Sequence, residues 1–452
     1  MAKRNFLLGR GERLAENVVV KSGPNDKVPP YTFSEARQRL QPMLEKAVEV
    51  ISDLPDGACP DDQAVLAVTL NPEFIAKSYF PTELLRKTGL TAVGSRPRRI
   101  KPEKRSKGRD PEPTLTTELF VMGDRDSFRS WRHSLPDWAD GSTLAKDFGT
   151  IEEISAPDAR DKIKGALPLG GEAVFEVVLH ADALSGEHRV LAQFRKYAQE
   201  LGIEAQLDHR FYAGGLCFVE LDAPVELAES LATFSVVRAM REMPKLRVLR
   251  PTIRGANLPS ESYFLPTEEA VDPELRVAIF DGGVPEDHAL TAWATPIDAA
   301  GVGQHHSEFL KHGVGVTSAF LFGHLEPGVE APRPFANVDH YRVLDVEPGQ
   351  NPRELYEVLE RVDHVLNNNK YDFVNLSIGP RLPIEDNDID AWTAVLDDRL
   401  SRMNTLATIA VGNDGEGDAE LGFNRIQVPS DCVNALAVGA TDRTDSGWKR
   451  AP

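Results

Sequence analysis

RVAIFDGG, residues 276–283, is the stretch on which the reading of the fold turns. Five strand-type residues run straight into Asp281, and the Gly282-Gly283 pair then releases the chain in a turn. The chain beyond alternates short apolar runs with helical segments: KHGVGVTSAFLFG (311–323), YRVLDV (341–346), NPRELYEVLERVDHVLNNN (351–369), YDFVNLSIG (371–379), DIDAWTAVLDDRLSRM (388–403), TLATIAVGND (405–414) and NALAVGATD (434–442). All-apolar strands separated by helices mark a parallel sheet buried on both faces, in which working residues gather at the carboxyl ends of the strands.

Three such ends carry chemistry. Asp281 closes the strand RVAIF. His312 is read as opening the helix of KHGVGVTSAFLFG, where a helix N-terminus disfavours imidazolium and favours a neutral base; Gly313 and Gly315 allow close approach to the sheet. Asn413 ends the strand TIAV in Gly412-Asn413-Asp414-Gly415, and its amide is suited to donate to a developing oxyanion. Taken singly, Asp-Gly and Asn-Asp-Gly are turn signals, and a lone histidine is an ordinary surface or core residue.

As a set, FDGG, HGVGVTSA and AVGND resemble the three signature motifs of the subtilisin-like serine proteases, the subtilase family. The Asp-before-His order and the separations, 31 residues from Asp281 to His312 and 101 from His312 to Asn413, agree with that family. VNLSIGP (374–380) looks like its strand bordering the substrate cleft, and VPSDCVNALAVGATD (428–442) like a later segment ending in Val-Gly-Ala. The resemblance implies a serine endopeptidase acting on peptide or protein substrates. Asp281 would orient His312, which serves as general base, and Asn413 would bind the oxyanion. Ser377, Ile378 and Gly379 would pair with an extended substrate, and Val411 with Gly412 would wall the specificity pocket.

Two departures lie beside the histidine: Val314 replaces the family's threonine and Gly315 its second histidine. A third is larger. The nucleophile of the family lies in a Gly-Thr-Ser-x-Ala motif opening a later helix, and residues 1–452 hold none. Ser318 imitates part of that motif, but it sits six residues beyond His312 on the same helix and on another face. Ser377 belongs to the cleft strand. The expectation is an incomplete triad, in a fragment or one half of a split enzyme, inactive by itself. The alternative is a catalytically inactive peptide-binding module or regulatory fragment.

Working back toward the N-terminus, the pattern changes. Residues 1–60 read as a polar segment and a helix from Ser34 (as N-cap) to about Ile51, kinked or divided at Pro42. The order strand-helix-strand-strand-helix-strand then appears twice, at 62–157 and at 171–252. It predicts two ferredoxin-like α/β modules before a truncated peptidase domain at 272–452. In the second module VELAESLATFSVVRAMREM (225–243) reads as one long helix and KLRVLRPT (245–252) as the closing strand. Resemblance makes that module similar to a subtilase propeptide. The basic run from Arg96 to Arg109 reads as a solvated loop between strands rather than an anionic-partner patch. The fold class is therefore α/β, a subtilisin-like doubly wound parallel sheet preceded by one or two small α/β modules.

Composition bounds the rest. The 452 residues carry 51 basic and 70 acidic side chains, a net charge of −19, which repels phosphate backbones and argues against a nucleic-acid partner. No apolar run has the length of a signal peptide's core or a membrane span, and Cys59, Cys217 and Cys432 form no disulfide framework, so the expected compartment is cytoplasmic. No cofactor or metal is expected. His305 and His306 are adjacent and point apart, and Glu385, Asp386, Asp388 and Asp390 lack calcium-loop spacing and read as a solvated acidic loop. Cytoplasmic relatives of this kind are often found beside AAA-type ATPases, which makes such an ATPase a candidate partner by resemblance alone.

Overall fold

The computed structural model describes residues 28–105, 109–183, 189–247, 264–323, 325, 328–345, 350–385, 387–415, 417, 419, 424–444 and 447–450, with side chains described up to Thr441. Lys107, Asp386 and the predicted strand residues 248–252 lie outside that set.

Helix α1 (Phe33–Ser52) runs undivided through Pro42. Its cap is Thr32 rather than Ser34: Thr32 Oγ1 accepts the Glu35 N–H, and the Glu35 carboxylate accepts the Thr32 N–H, a reciprocal capping box. The first sheet comprises β1 (Gln63–Leu70), β2 (Thr91–Ile100), β3 (Thr114–Asp124) and β4 (Ile151–Ser155), with α2 (Thr82–Thr88), α3 (Arg125–Ser134) and α4 (Thr143–Phe148) between them. Its antiparallel order β2-β3-β1-β4 is that of a ferredoxin-like sheet. The basic run is not a free loop. Arg96 and Arg98 lie in β2 and pair with the buried Glu118 of β3, while Arg105 and Arg109 pair with Glu73.

After α5 (Ala159–Lys162), the second sheet comprises β5 (Glu172–His180), β6 (Arg210–Ala213), β7 (Leu216–Pro224) and β8 (Val237–Glu242) in the matching order β6-β7-β5-β8. Helix α6 (Val190–Glu200) is as expected, but the predicted long helix stops at α7 (Ala228–Ala232). VRAMRE is strand β8, paired antiparallel with β5 from Phe175 to Leu179. Burial on both sides of that strand, not local propensity, decides its state.

The third sheet comprises β9 (Val277–Asp281), β10 (Ala294–Asp298), β11 (Val338–Arg342), β12 (Phe373–Leu376), β13 (Leu406–Ala410) and β14 (Ala435–Val438). It is parallel throughout, in the order β10-β11-β9-β12-β13-β14. Strand β10 escaped the sequence reading because ATPID is short and contains a proline; it sits at the edge, where proline is tolerated. Helices α8 (Ser307–Phe322), α9 (Glu354–Asn368) and α10 (Ala391–Leu400) connect the strands, and a hairpin of β15 (Thr441–Thr444) and β16 (Gly447–Arg450) follows.

The period-two alternation of a strand sorts the side chains of β9. Val277 and Ile279 share a core with Leu321 and Phe322 of α8, whereas Ala278 and Phe280 share one with Leu355, Leu359 and Trp392 of α9 and α10. Asp281 has the parity of Val277 and so faces α8. The chain visits β10 and β11 on one side of β9 and then β12 to β14 on the other. The carboxyl end of β9 is therefore the topological switch point, where open α/β sheets form clefts.

The second module is not a separate bead. Val178, Phe218 and Ala239 of its sheet belong to the same core as α9 and α10. At this junction Tyr356 Oη donates to Glu176 Oε1 at 2.9 Å, and Arg241 Nε lies 2.8 Å from Glu176 Oε2.

Candidate active site

Asp281 is fully buried at the end of β9, and its Oδ1 accepts the N–H of Gly282 at 2.6 Å. His312 lies in the second turn of α8, which begins at Ser307, so it does not open the helix as its sequence suggested. Its Nδ1 is 2.7 Å from Asp281 Oδ1. A carboxylate oxygen only accepts, so Nδ1 carries the proton and Nε2 is left as the basic nitrogen. Electrostatics depart from the sequence reading as well. Burial pulls the His312 pKa down, but the hydrogen bond and negative charge of Asp281 outweigh it, and the net shift is upward.

Glycine permits this approach. A Cβ on Gly282 would land on the Phe309 carbonyl, and one on Gly313 would land on the Gly283 carbonyl. The turn after Asp281 and the α8 backbone are thus in direct contact. Strand β11 underlies both. His340, fully buried, accepts the Gly283 N–H at Nε2 (3.0 Å) and has Thr317 Oγ1 2.7 Å from Nδ1. The sequence reading missed this residue because the recognised apolar run began one position later, at Tyr341. An isolated histidine before such a run gives no signal without the β9–β11 register.

The remaining predicted residues lie along the same carboxyl edge. Leu376 stands opposite both Phe280 and Ile409, so Asp281, Ser377 and Ala410 are the next residues out on adjacent strands. Ser377 Oγ accepts from Asn375 Nδ2 at 3.0 Å, Ile378 is fully buried in the core, and Asn413 is exposed three residues past β13. Val411 is held through its N–H to Val438 and its carbonyl to Gln427. Gly412 has φ +104°, a conformation suited to glycine. Among the described residues, no serine hydroxyl is hydrogen-bonded to His312.

One segment of the chain already lies on the predicted substrate strand. The Arg247 N–H donates to the Gly379 carbonyl at 2.9 Å and the Arg381 N–H to the Lys245 carbonyl at 2.8 Å, around an antiparallel Leu246–Pro380 bridge. Arg247 is 5% exposed, and its guanidinium reaches the Ala410 carbonyl only at 3.4–3.5 Å. Burial, partly countered by Asp414, pushes its pKa down to about 10.

The acidic loop differs from expectation. Asp388 is tucked beside Arg238 and Arg241, and Asp390 caps α10 by accepting the Trp392 N–H. Among the described residues, no cluster of His, Cys, Asp or Glu is arranged to hold a metal, and no helix is long and apolar enough to cross a membrane. All three cysteines are buried free thiols.

A family model described as the subtilase family, peptidase S8, matches residues 181–449, more than half of the chain. No curated protein matches the chain.

Proposed function

This chain belongs to the subtilase family, and from that premise we propose that it carries the Asp-His part of a serine endopeptidase site. The observation that carries the reading is the 2.7 Å Asp281–His312 contact at the switch point of the sheet. Asp281 holds the imidazole in place: Nδ1–H donates to the carboxylate, and Nε2 takes the proton of an attacking hydroxyl. The imidazolium so formed, stabilised by Asp281, then protonates the leaving amine. Asn413 supplies a donor for the tetrahedral oxyanion, a contact whose loss typically costs about 10²–10³ in rate.

We propose that the nucleophilic serine is none of those flanking the pair and is supplied by sequence outside residues 1–452. Within them Ser318 shares a helix with His312 and Ser377 is engaged by Asn375. The test is hydrolysis of a labelled protein substrate by the chain extended along its reading frame. Activity lost in His312→Ala and strongly reduced in Asp281→Asn supports the proposal; activity that survives both removes it.

The pairing of 245–247 with the cleft strand favours a second reading for residues 171–252, as a segment that inhibits in cis. Backbone hydrogen bonds supply the register, and the weakly partnered Arg247 leaves the strap releasable. Equal activity of the extended enzyme with and without Arg247→Pro, which removes the N–H donated to the Gly379 carbonyl, would sink this idea.

A further inference from the structure

His340 is a buried imidazole that the chemistry proposed above does not use. It stands on β11 directly beside Ile279, two residues before Arg342, which is paired in register with Asp281. Both of its ring nitrogens are engaged. The Gly283 amide can only donate, so Nε2 is unprotonated; the neutral ring then carries its proton on Nδ1 and donates it to Thr317 Oγ1. One ring thus ties the turn that follows Asp281 to the middle of the helix that carries His312. The turn and the helix also meet through close contacts at Gly282, Gly283 and Gly313, which supply no side-chain hydrogen bond, and the Asp281–His312 bond spans the same two elements.

We propose that His340, as its Nδ1–H tautomer, is the positioning residue that locks the Asp281 turn onto α8 and so sets the Asp281–His312 hydrogen bond. The inference rests on the roles given above to Asp281 and His312. Burial favours the neutral ring, pushing its pKa down to about 4, with His312 acting in the same direction and Asp281 against it. The neighbouring Arg342 is turned away to Asp298. Asp281 Oδ2 is buried and has no hydrogen-bond partner among the described residues. The carboxylate is therefore anchored through Oδ1 alone, and a small shift of its turn is felt at His312.

The test uses the 452-residue chain with ¹⁵N-labelled histidine and long-range proton–nitrogen correlation. His340 should show a pyrrole-type Nδ1 and a pyridine-type Nε2, unchanged from neutral pH to about pH 5. In His340→Ala the Asp281-bonded Nδ1–H resonance of His312 should leave its far-downfield position, and the His312 pKa should fall toward the ordinary range. His340→Gln, whose Oε1 can accept the Gly283 N–H, should restore most of both. Thr317→Val keeps the shape and removes the hydroxyl, so it should shift both readouts in the same direction by less, and it serves if the alanine variant does not fold. An Nε2–H tautomer, or unchanged His312 signals in a folded His340→Ala or Thr317→Val chain, would overturn the proposal. None of these readouts involves turnover, so this inference and the peptidase reading can fail independently.

Discussion

At the scale of the residue, the Asp281–His312 pair has a pH signature of definite sign. The folded-state pKa of His312 is raised, so the stabilisation is complete below its unfolded value of about 6.5 and is lost as pH rises through the folded pKa. In Asp281→Asn burial acts without its counterweight, the His312 pKa drops below the ordinary value, and the dependence reverses. Urea midpoints of both proteins from about pH 5 to about pH 8 check this; parallel profiles would contradict it. Asp281 and His312 were legible in the sequence because a strand ending in Asp-Gly-Gly and a His-Gly in a small-residue helix are local patterns. The direction of the His312 pKa shift was not legible. It depends on Asp281, 31 residues away, rather than on the helix terminus from which it was read.

At the scale of the element, the decisive contact is the turn of β9 against α8. Gly313→Ala places a methyl on the Gly283 carbonyl, so the turn must lift. The expected cost is about 1–3 kcal/mol, read from denaturant unfolding, together with a weakened His312 Nδ1–H signal. A second element contact joins the modules. Tyr356→Phe removes the donor to the fully buried Glu176, leaving Oε1 unsatisfied at about 1–3 kcal/mol. A wild-type unfolding midpoint in that variant would show that Arg241 alone satisfies the carboxylate. Most elements were readable from apolar periodicity, including five of the parallel strands. The failures share a cause. VRAMRE is built from residues at home in a helix, and ATPID carries a proline; each is a strand because a neighbouring strand offers it a ladder. The acidic loop was misread similarly, since Arg238 and Arg241 that bury Asp388 come from β8.

At the scale of the molecule, the second module and the parallel sheet share one core, and residues 245–247 lead from that module onto the segment that follows β12 at Gly379 and Arg381. Deleting residues 1–260 should therefore expose the apolar face of α9 and α10 and give aggregation, measured by light scattering; a monodisperse, cooperatively folded remainder would contradict the shared core. The parallel sheet also has an open side. Val433, Leu436 and Val438, on and beside β14, are 86%, 54% and 51% exposed, an apolar edge of the kind that self-associates or takes up further structure. The central proposal is that this chain supplies the carboxylate and the base of a serine peptidase site and that the nucleophile is not among residues 1–452. Labelling with a serine-directed fluorophosphonate tests it most directly. Residues 1–452 alone should remain unlabelled, and the chain extended along its reading frame should label in a manner lost on His312→Ala. Stoichiometric labelling of residues 1–452 themselves, abolished by His312→Ala, would contradict this by placing the nucleophile on a serine within those residues.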